Sequence, residues 1–172
     1  MAGSAAAPNS VGPDKETTPA RRRMLPYRVS LAGSLLAARE AVMAPIRPYL
    51  RDAGVTEQQW RVLRVLSDEG PLDFKTLADR ALLHAPSVSR IIKELVDRGL
   101  ILRTIDDEDK RRSILSLTRS GRDLVLVTSQ LTIQVIDTFA ERFGAERLQA
   151  LRNELQAFAQ TIGFELDQDS DQ

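Results

Sequence analysis

The sequence predicts a mainly α-helical fold with one small β-hairpin, and three observations carry that prediction. Apolar residues recur at helical spacing through most of the chain, most regularly at Leu148, Leu151, Leu155, Phe158 and Ile162, steps of 3-4-3-4. Two β-prone runs, Leu100 to Ile105 and Arg112 to Leu117, flank the charged tip Asp106-Asp107-Glu108-Asp109-Lys110-Arg111, as strands flank a hairpin turn. Helix start and stop signals fall where the periodic stretches begin and end.

Residues 1–27 mix Ala, Gly, Ser, Pro and charges without period, and read as a disordered arm. A helical pattern then runs through Leu31, Leu35, Ala38, Val42, Ile46 and Leu50. Pro45 and Pro48 fall inside it, so a break is expected near Ala44. Thr56-Glu57-Gln58-Gln59 has the form of a capping box, and the helix it opens carries Trp60, Leu63 and Leu66 before Gly70-Pro71 stops it. Asp73 is placed to cap a short helix from Phe74 to Ala81. In the next helix, Val88, Ile91, Ile92, Leu95 and Val96 fill an arc of about 140° on a helical wheel. Pro86 lies in its first turn and Gly99 just past its end. Two readings of its start stand: Ala85 as a poor cap that leaves amides for a phosphate, or Ser87 as the cap of a later start. After the hairpin, in which Ile114 interrupts the alternation of Leu115 and Leu117, Thr118 caps a long helix to about Phe143. Leu124, Val127, Leu131, Val135 and Phe139 form its expected apolar side. Gly144 separates it from the last helix.

Composition narrows the function. The chain has 172 residues, no cysteine and one histidine, His84. Thiolate metal sites, disulfides and cysteine nucleophiles are thereby excluded, and no multi-histidine metal site is expected. No nucleophile–base pair or glycine-rich phosphate loop is present, so neither an enzyme nor a cofactor is expected. No apolar run approaches the roughly 18 residues of a membrane span, and the N-terminus lacks the apolar core of a signal peptide, so the expectation is a soluble, cytoplasmic protein. Net charge is zero but uneven: +3 over residues 73–122 and −6 over residues 123–172. A basic middle favours a polyanionic partner.

Two short helices, the second strongly two-faced, followed at once by a charged hairpin describe a winged helix-turn-helix. In that arrangement the second helix enters the major groove of double-stranded DNA and the hairpin reaches the adjacent backbone or minor groove. The wheel sets Arg90 opposite the apolar arc, with Lys93 beside it and Ser87 and Ser89 towards the N-terminal end. Arg makes bidentate contacts to guanine, and serine hydroxyls serve bases or phosphates. Lys110, Arg111 and Arg112 add cations on the wing. The competing reading is a winged helix that binds protein and no DNA, and a steep salt dependence of DNA binding discriminates between the two.

The run LADRALLHAPSVSRIIKELVDRGLILRTIDDEDKRRSILSLTRSG, Leu77 to Gly121, resembles the core of the MarR-type bacterial transcription regulators. With the flanking helices the resemblance extends over about residues 28–166. Asp109-Lys110-Arg111 is similar to the family's Asp-Arg-Arg, and Leu117-Thr118 with Gly121 to its Leu-Thr-x-x-Gly. The resemblance implies that Asp109 braces Arg111 and that Arg111 enters the minor groove. Asp107 stands where a proline is common at the wing tip. LLAAREAVMAPIRPYL and GVTEQQWRVLRVL further resemble the subgroup that controls aromatic-acid catabolism, of which a homoprotocatechuate operon regulator is one member.

Four segments follow: the arm 1–27, an N-terminal dimerisation helix 28–54, the winged helix-turn-helix lobe 55–120, and C-terminal dimerisation helices with an acidic tail over 121–172. The last two helices either fold on each other within one chain or, as the resemblance implies, interlock with those of a second copy in a homodimer. For a ligand, Arg39 follows Ala37 and Ala38, which leave room beside it, and Trp60 belongs to the helix expected to pack nearby. Together they would hold the carboxylate and ring of a small aromatic acid, with His84 linking that site to the reading helix. The other reading makes Trp60 ordinary core and Arg39 half of an ion pair.

Overall fold

The computed structural model describes residues 25–105 and 113–163, in two units that divide after Ala37. In the first, a 3-10 turn, Tyr27–Val29, leads into helix α1, Leu31–Met43, whose start is locked by Ser30. The Ser30 hydroxyl donates to the Tyr27 carbonyl at 2.7 Å and accepts the Gly33 N–H at 3.1 Å. A Cβ at Gly33 would lie 2.0 Å from the same carbonyl, so only glycine fits there.

In the second unit α1 ends at Met43, next to the expected break, and α2 (Arg47–Asp52) follows with Pro48 in its first turn, where a missing N–H costs nothing. Helix α3, Glu57–Glu69, starts with the complete capping box: Thr56 Oγ1 accepts the Gln59 N–H and Gln59 Oε1 accepts the Thr56 N–H. Strand β1, Leu72–Asp73, precedes α4, Phe74–Ala81, which Asp73 caps through Thr76 at 3.0 Å. Helix α5 spans Ala85–Asp97, and strands β2 (Ile101–Ile105) and β3 (Ser113–Leu117) form the wing. Helices α6 (Arg119–Phe143) and α7 (Ala145–Ile162) complete the described chain. No helix among the described residues is long and apolar enough to cross a membrane.

The core of this unit is one cluster. Leu50, Leu63, Leu77, Val88, Ile91, Leu95, Ile101 and Leu115 are among its best buried members, so α2 to α5 and the sheet share an interior. The sheet order is β1-β3-β2, antiparallel throughout, with Leu72 opposite Leu115 and Ile101 opposite Leu117. The third strand was not expected; two residues are too few to show a period. Leu115 and Leu117 turn inward as alternating residues should, and half-buried Ile114 faces Asp73 and Thr104 across the sheet.

One expectation needs correction. The α5 N-cap is His84, with ψ 143°, so neither Ala85 nor Ser87 holds that position, and no side chain caps the helix. Helix α6 turns Gly121, Val125, Thr128 and Thr132 inward, a side centred about 70° round the wheel from the apolar side of Leu124, Val127, Leu131, Val135 and Phe139. Val127 and Leu131 are exposed instead, while Leu124 and Val135 are half-buried. Threonine makes up half of that inward side. Thr132 Oγ1 donates to the Ser129 carbonyl at 3.0 Å, which satisfies the hydroxyl within its own helix and leaves the methyl to pack.

Candidate nucleic-acid interface

Helix α4, the turn after it and helix α5 form the helix-turn-helix. Leu82 makes the turn at φ 52°, a left-handed conformation unusual for leucine, and its side chain stays 58% exposed. The turn is held from α3: Arg61 Nη1 donates to the carbonyls of Ala81 at 3.1 Å and Leu82 at 3.3 Å. Those carbonyls end a helix and would otherwise be left to water.

Helix α5 then buries Val88, Ile91, Ile92 and Leu95 and turns its other side outward. Ser89, Arg90 and Lys93 are exposed, and Ser87 is half-buried. The Arg90 side chain is 71% exposed, with Nη1 3.6 Å from Glu94 Oε1. Beside this face runs an open groove of about 1220 Å³, bounded by the start of α4, the outer side of α5 and the wing strands. Lys75, Thr76 and Arg103 line it together with Ser89, Arg90 and Lys93, and Asp73 and Asp97 lie among them. Lys75 and Arg103 escaped the sequence reading. Arg103 carried a usable signal, since it lies on the same hairpin as the wing cations, whereas Lys75 sits on α4 and joins the group only through packing. Asp109, Lys110, Arg111 and Arg112 lie outside the described residues.

The candidate ligand residues occupy a different region. Arg39 bonds to Glu40 at 3.0 Å and also to Glu57 of α3. Arg47 of α2 completes a four-membered cluster, with Nε 2.5 Å from Glu57 and Nη2 2.7 Å from Glu40. The Glu57 carboxyl is held below its ordinary range, chiefly by the hydrogen bond from Arg47; desolvation opposes this and Arg39 adds to it. Trp60, one turn after Glu57, belongs to the core and is 9% exposed, with the Arg64 guanidinium 5.8 Å from its ring. His84 is exposed and supplies only its backbone to the α5 cap. Thus Arg39 takes the ion-pair arrangement and Trp60 the core position.

A helix-turn-helix backed by a small antiparallel sheet, with cations on its outer helix, is the architecture of a winged-helix DNA-binding protein. Residues 55–113 match the profile of the MarR family. The chain is 36% identical over 129 residues to the homoprotocatechuate degradative operon repressor of Escherichia coli, covering 75% of this chain and 87% of that one. Among solved structures, NadR in complex with 4-hydroxyphenylacetate is similar at TM-score 0.71 and 34% identity, over 80% of this chain and 97% of the other. The repressor CouR bound to a 23-mer DNA duplex is similar at TM-score 0.70 and 25% identity, over 76% and 92%. The chain belongs to the MarR family of transcription regulators.

Proposed function

We propose that this protein is a dimeric, ligand-responsive repressor that holds a pseudopalindromic operator through α5 and the wing and releases it on binding a small aromatic carboxylate. The observation that carries the DNA half is the solvent-facing row Ser89, Arg90 and Lys93 on a helix packed only by its opposite side. Arg90 reads a base edge, and Ser87 and Ser89 serve bases or phosphates. Lys93 and the wing residues Lys110, Arg111 and Arg112 meet the backbone and minor groove, with Asp109 bracing Arg111. The operator is expected to have half-sites about 34–36 Å apart, as a twofold dimer requires. Such a protein works in the cytoplasm, where its DNA is.

For dimerisation the support is α7, on which Leu151, Leu155, Phe158 and Ile162 are all at least 40% exposed in the single chain. Residues 28–54 and 121–172 are assigned to the dimer and 55–120 to the reading lobe. For the effector the support is the relatives' chemistry and the Arg39 cluster. An incoming carboxylate exchanges with Glu57 or Glu40 on Arg39, its ring lies towards Trp60, and His84 links the change to α5. Shifting the chain from mostly bound to mostly free requires a preference of several kcal/mol for the DNA-incompatible arrangement.

Genomic footprinting gives the operator, and Arg90→Ala tests the reader: a loss of roughly 1–3 kcal/mol with relaxed preference at one position per half-site is expected. Arg111→Ala should weaken binding to many sequences alike and reduce the salt slope by about 1. DNA binding without salt dependence would favour a protein-binding module instead. Titration with a panel of phenolic and cinnamic acids, following Trp60 fluorescence and operator release together, tests the effector. A response unchanged in Arg39→Ala would remove Arg39 from that site.

A further inference from the structure

Gln59 is buried at the first turn of α3, and its backbone N–H, side-chain oxygen and side-chain nitrogen each have a defined partner. Its backbone N–H donates to Thr56 Oγ1 at 3.1 Å, and its Oε1 accepts the Thr56 N–H at 3.0 Å. With the carbonyl end of the amide committed to an N–H, the NH2 end must face outward, and it meets Glu94 Oε2 of α5 at 2.8 Å. The other Glu94 oxygen is the one that faces Arg90, four residues earlier on the same helix. A continuous line, Thr56 to Gln59 to Glu94 to Arg90, therefore runs from the capped start of α3 to the outer face of α5.

We infer that Gln59 and Glu94 are positioning residues for Arg90: Gln59 fixes the Glu94 carboxylate, and Glu94 sets the arginine for base reading. The inference rests on the base-reading role proposed for Arg90. An exposed arginine explores many rotamers, and an ordinary i,i+4 carboxylate restrains it little because both side chains wander. Here the carboxylate is anchored to a buried donor, which removes half of that freedom before DNA arrives. The negative charge also makes this site poorer for a phosphate, so Arg90 is biased towards the base edge. Glu94 thus trades non-specific affinity for discrimination.

The opposite signs of those two effects provide the test, because loss of packing alone does not produce them. The full chain is titrated against the duplex that the wild-type chain selects from random sequence, against that duplex with each base changed where Arg90→Ala relaxes preference, and against a non-specific duplex. Glu94→Gln should bind the non-specific duplex more tightly while losing about two- to tenfold in discrimination at the Arg90 position, with other positions unchanged. Gln59→Glu retains the capping box, since glutamate makes the same reciprocal bond, but turns a carboxylate towards Glu94. It should lose the same discrimination without the gain in non-specific binding. Should Gln59→Glu fail to fold, Glu94→Gln decides alone. If both variants keep wild-type discrimination while Arg90→Ala loses it, the inference is overturned and the reading of Arg90 stands. If Arg90→Ala keeps the consensus, that reading falls and the inference falls with it.

Discussion

A single methyl group at position 121 would be intolerable. A Cβ there would lie 2.1 Å from the Leu100 carbonyl oxygen, a backbone atom that also accepts the Thr118 N–H at 3.1 Å and so cannot move aside. Gly121→Ala is expected to cost about 3 kcal/mol, read as a lower urea midpoint, because α6 must back away from the wing. Leu82 presents the reverse case. Its left-handed backbone is strained for leucine and its side chain is mostly in water, so glycine relieves strain at little loss of burial. Leu82→Gly should stabilise the fold by about 0.5–1 kcal/mol after the extra entropy of unfolded glycine is counted. A destabilised variant would mean that the leucine side chain makes an important contact.

Helices α2 and α3 and the end of α1 are joined by charge as well as by apolar packing, and that junction is expected to respond to acid. Glu57 receives bonds from Arg39 and Arg47, and its carboxyl lies below the ordinary range. A carboxylate with a folded pKa lower than its unfolded one stabilises the fold above the unfolded pKa and loses that contribution as pH falls through the folded value. Stability should therefore decline below the ordinary glutamate range, and Glu57→Gln should flatten that decline while costing about 1–2 kcal/mol at neutral pH. Thermal unfolding of the two proteins from neutral to acidic pH measures both effects; parallel curves would show that Glu57 does not drive the decline. The cap of α6 is a second such junction. Thr118 accepts the Gly121 N–H at 3.0 Å and donates to the Gly99 carbonyl at 2.7 Å, so one side chain ties the α5 exit to the α6 start. Thr118→Ala should cost about 1–2 kcal/mol, measured by chemical denaturation.

The described chain leaves a large apolar surface on its last two helices. None of the α7 residues is buried, and α6 exposes Leu126, Val127, Leu131, Ile133 and Ile136. Exposed apolar side chains in such number mark an interaction site. Deleting residues 145–172 is expected to give a monomer by sedimentation and to lower affinity for paired half-sites far more than for one half-site. A truncated chain that still sediments as a dimer would move the interface elsewhere.

What the sequence by itself determined about this protein are the features that depend on neighbours in the chain. The break before Arg47, the Thr56–Gln59 box, the Asp73 and Thr118 caps and the two-faced α5 were all legible, because capping and helical period act over three or four residues. The outward position of Arg90 was legible for the same reason. Tertiary structure alone decided which side of α6 faces inward, since a threonine with a satisfied hydroxyl packs as well as an apolar residue. It also decided that Leu72 and Asp73 join the sheet, that Arg39 pairs with Glu57, and that Lys75 and Arg103 share a groove with Arg90. The bond from Gln59 to Glu94 spans 35 residues of sequence. No local pattern encodes such a pair, because the free energy that joins it comes from packing α3 against α5, and only the folded core brings the two side chains within reach.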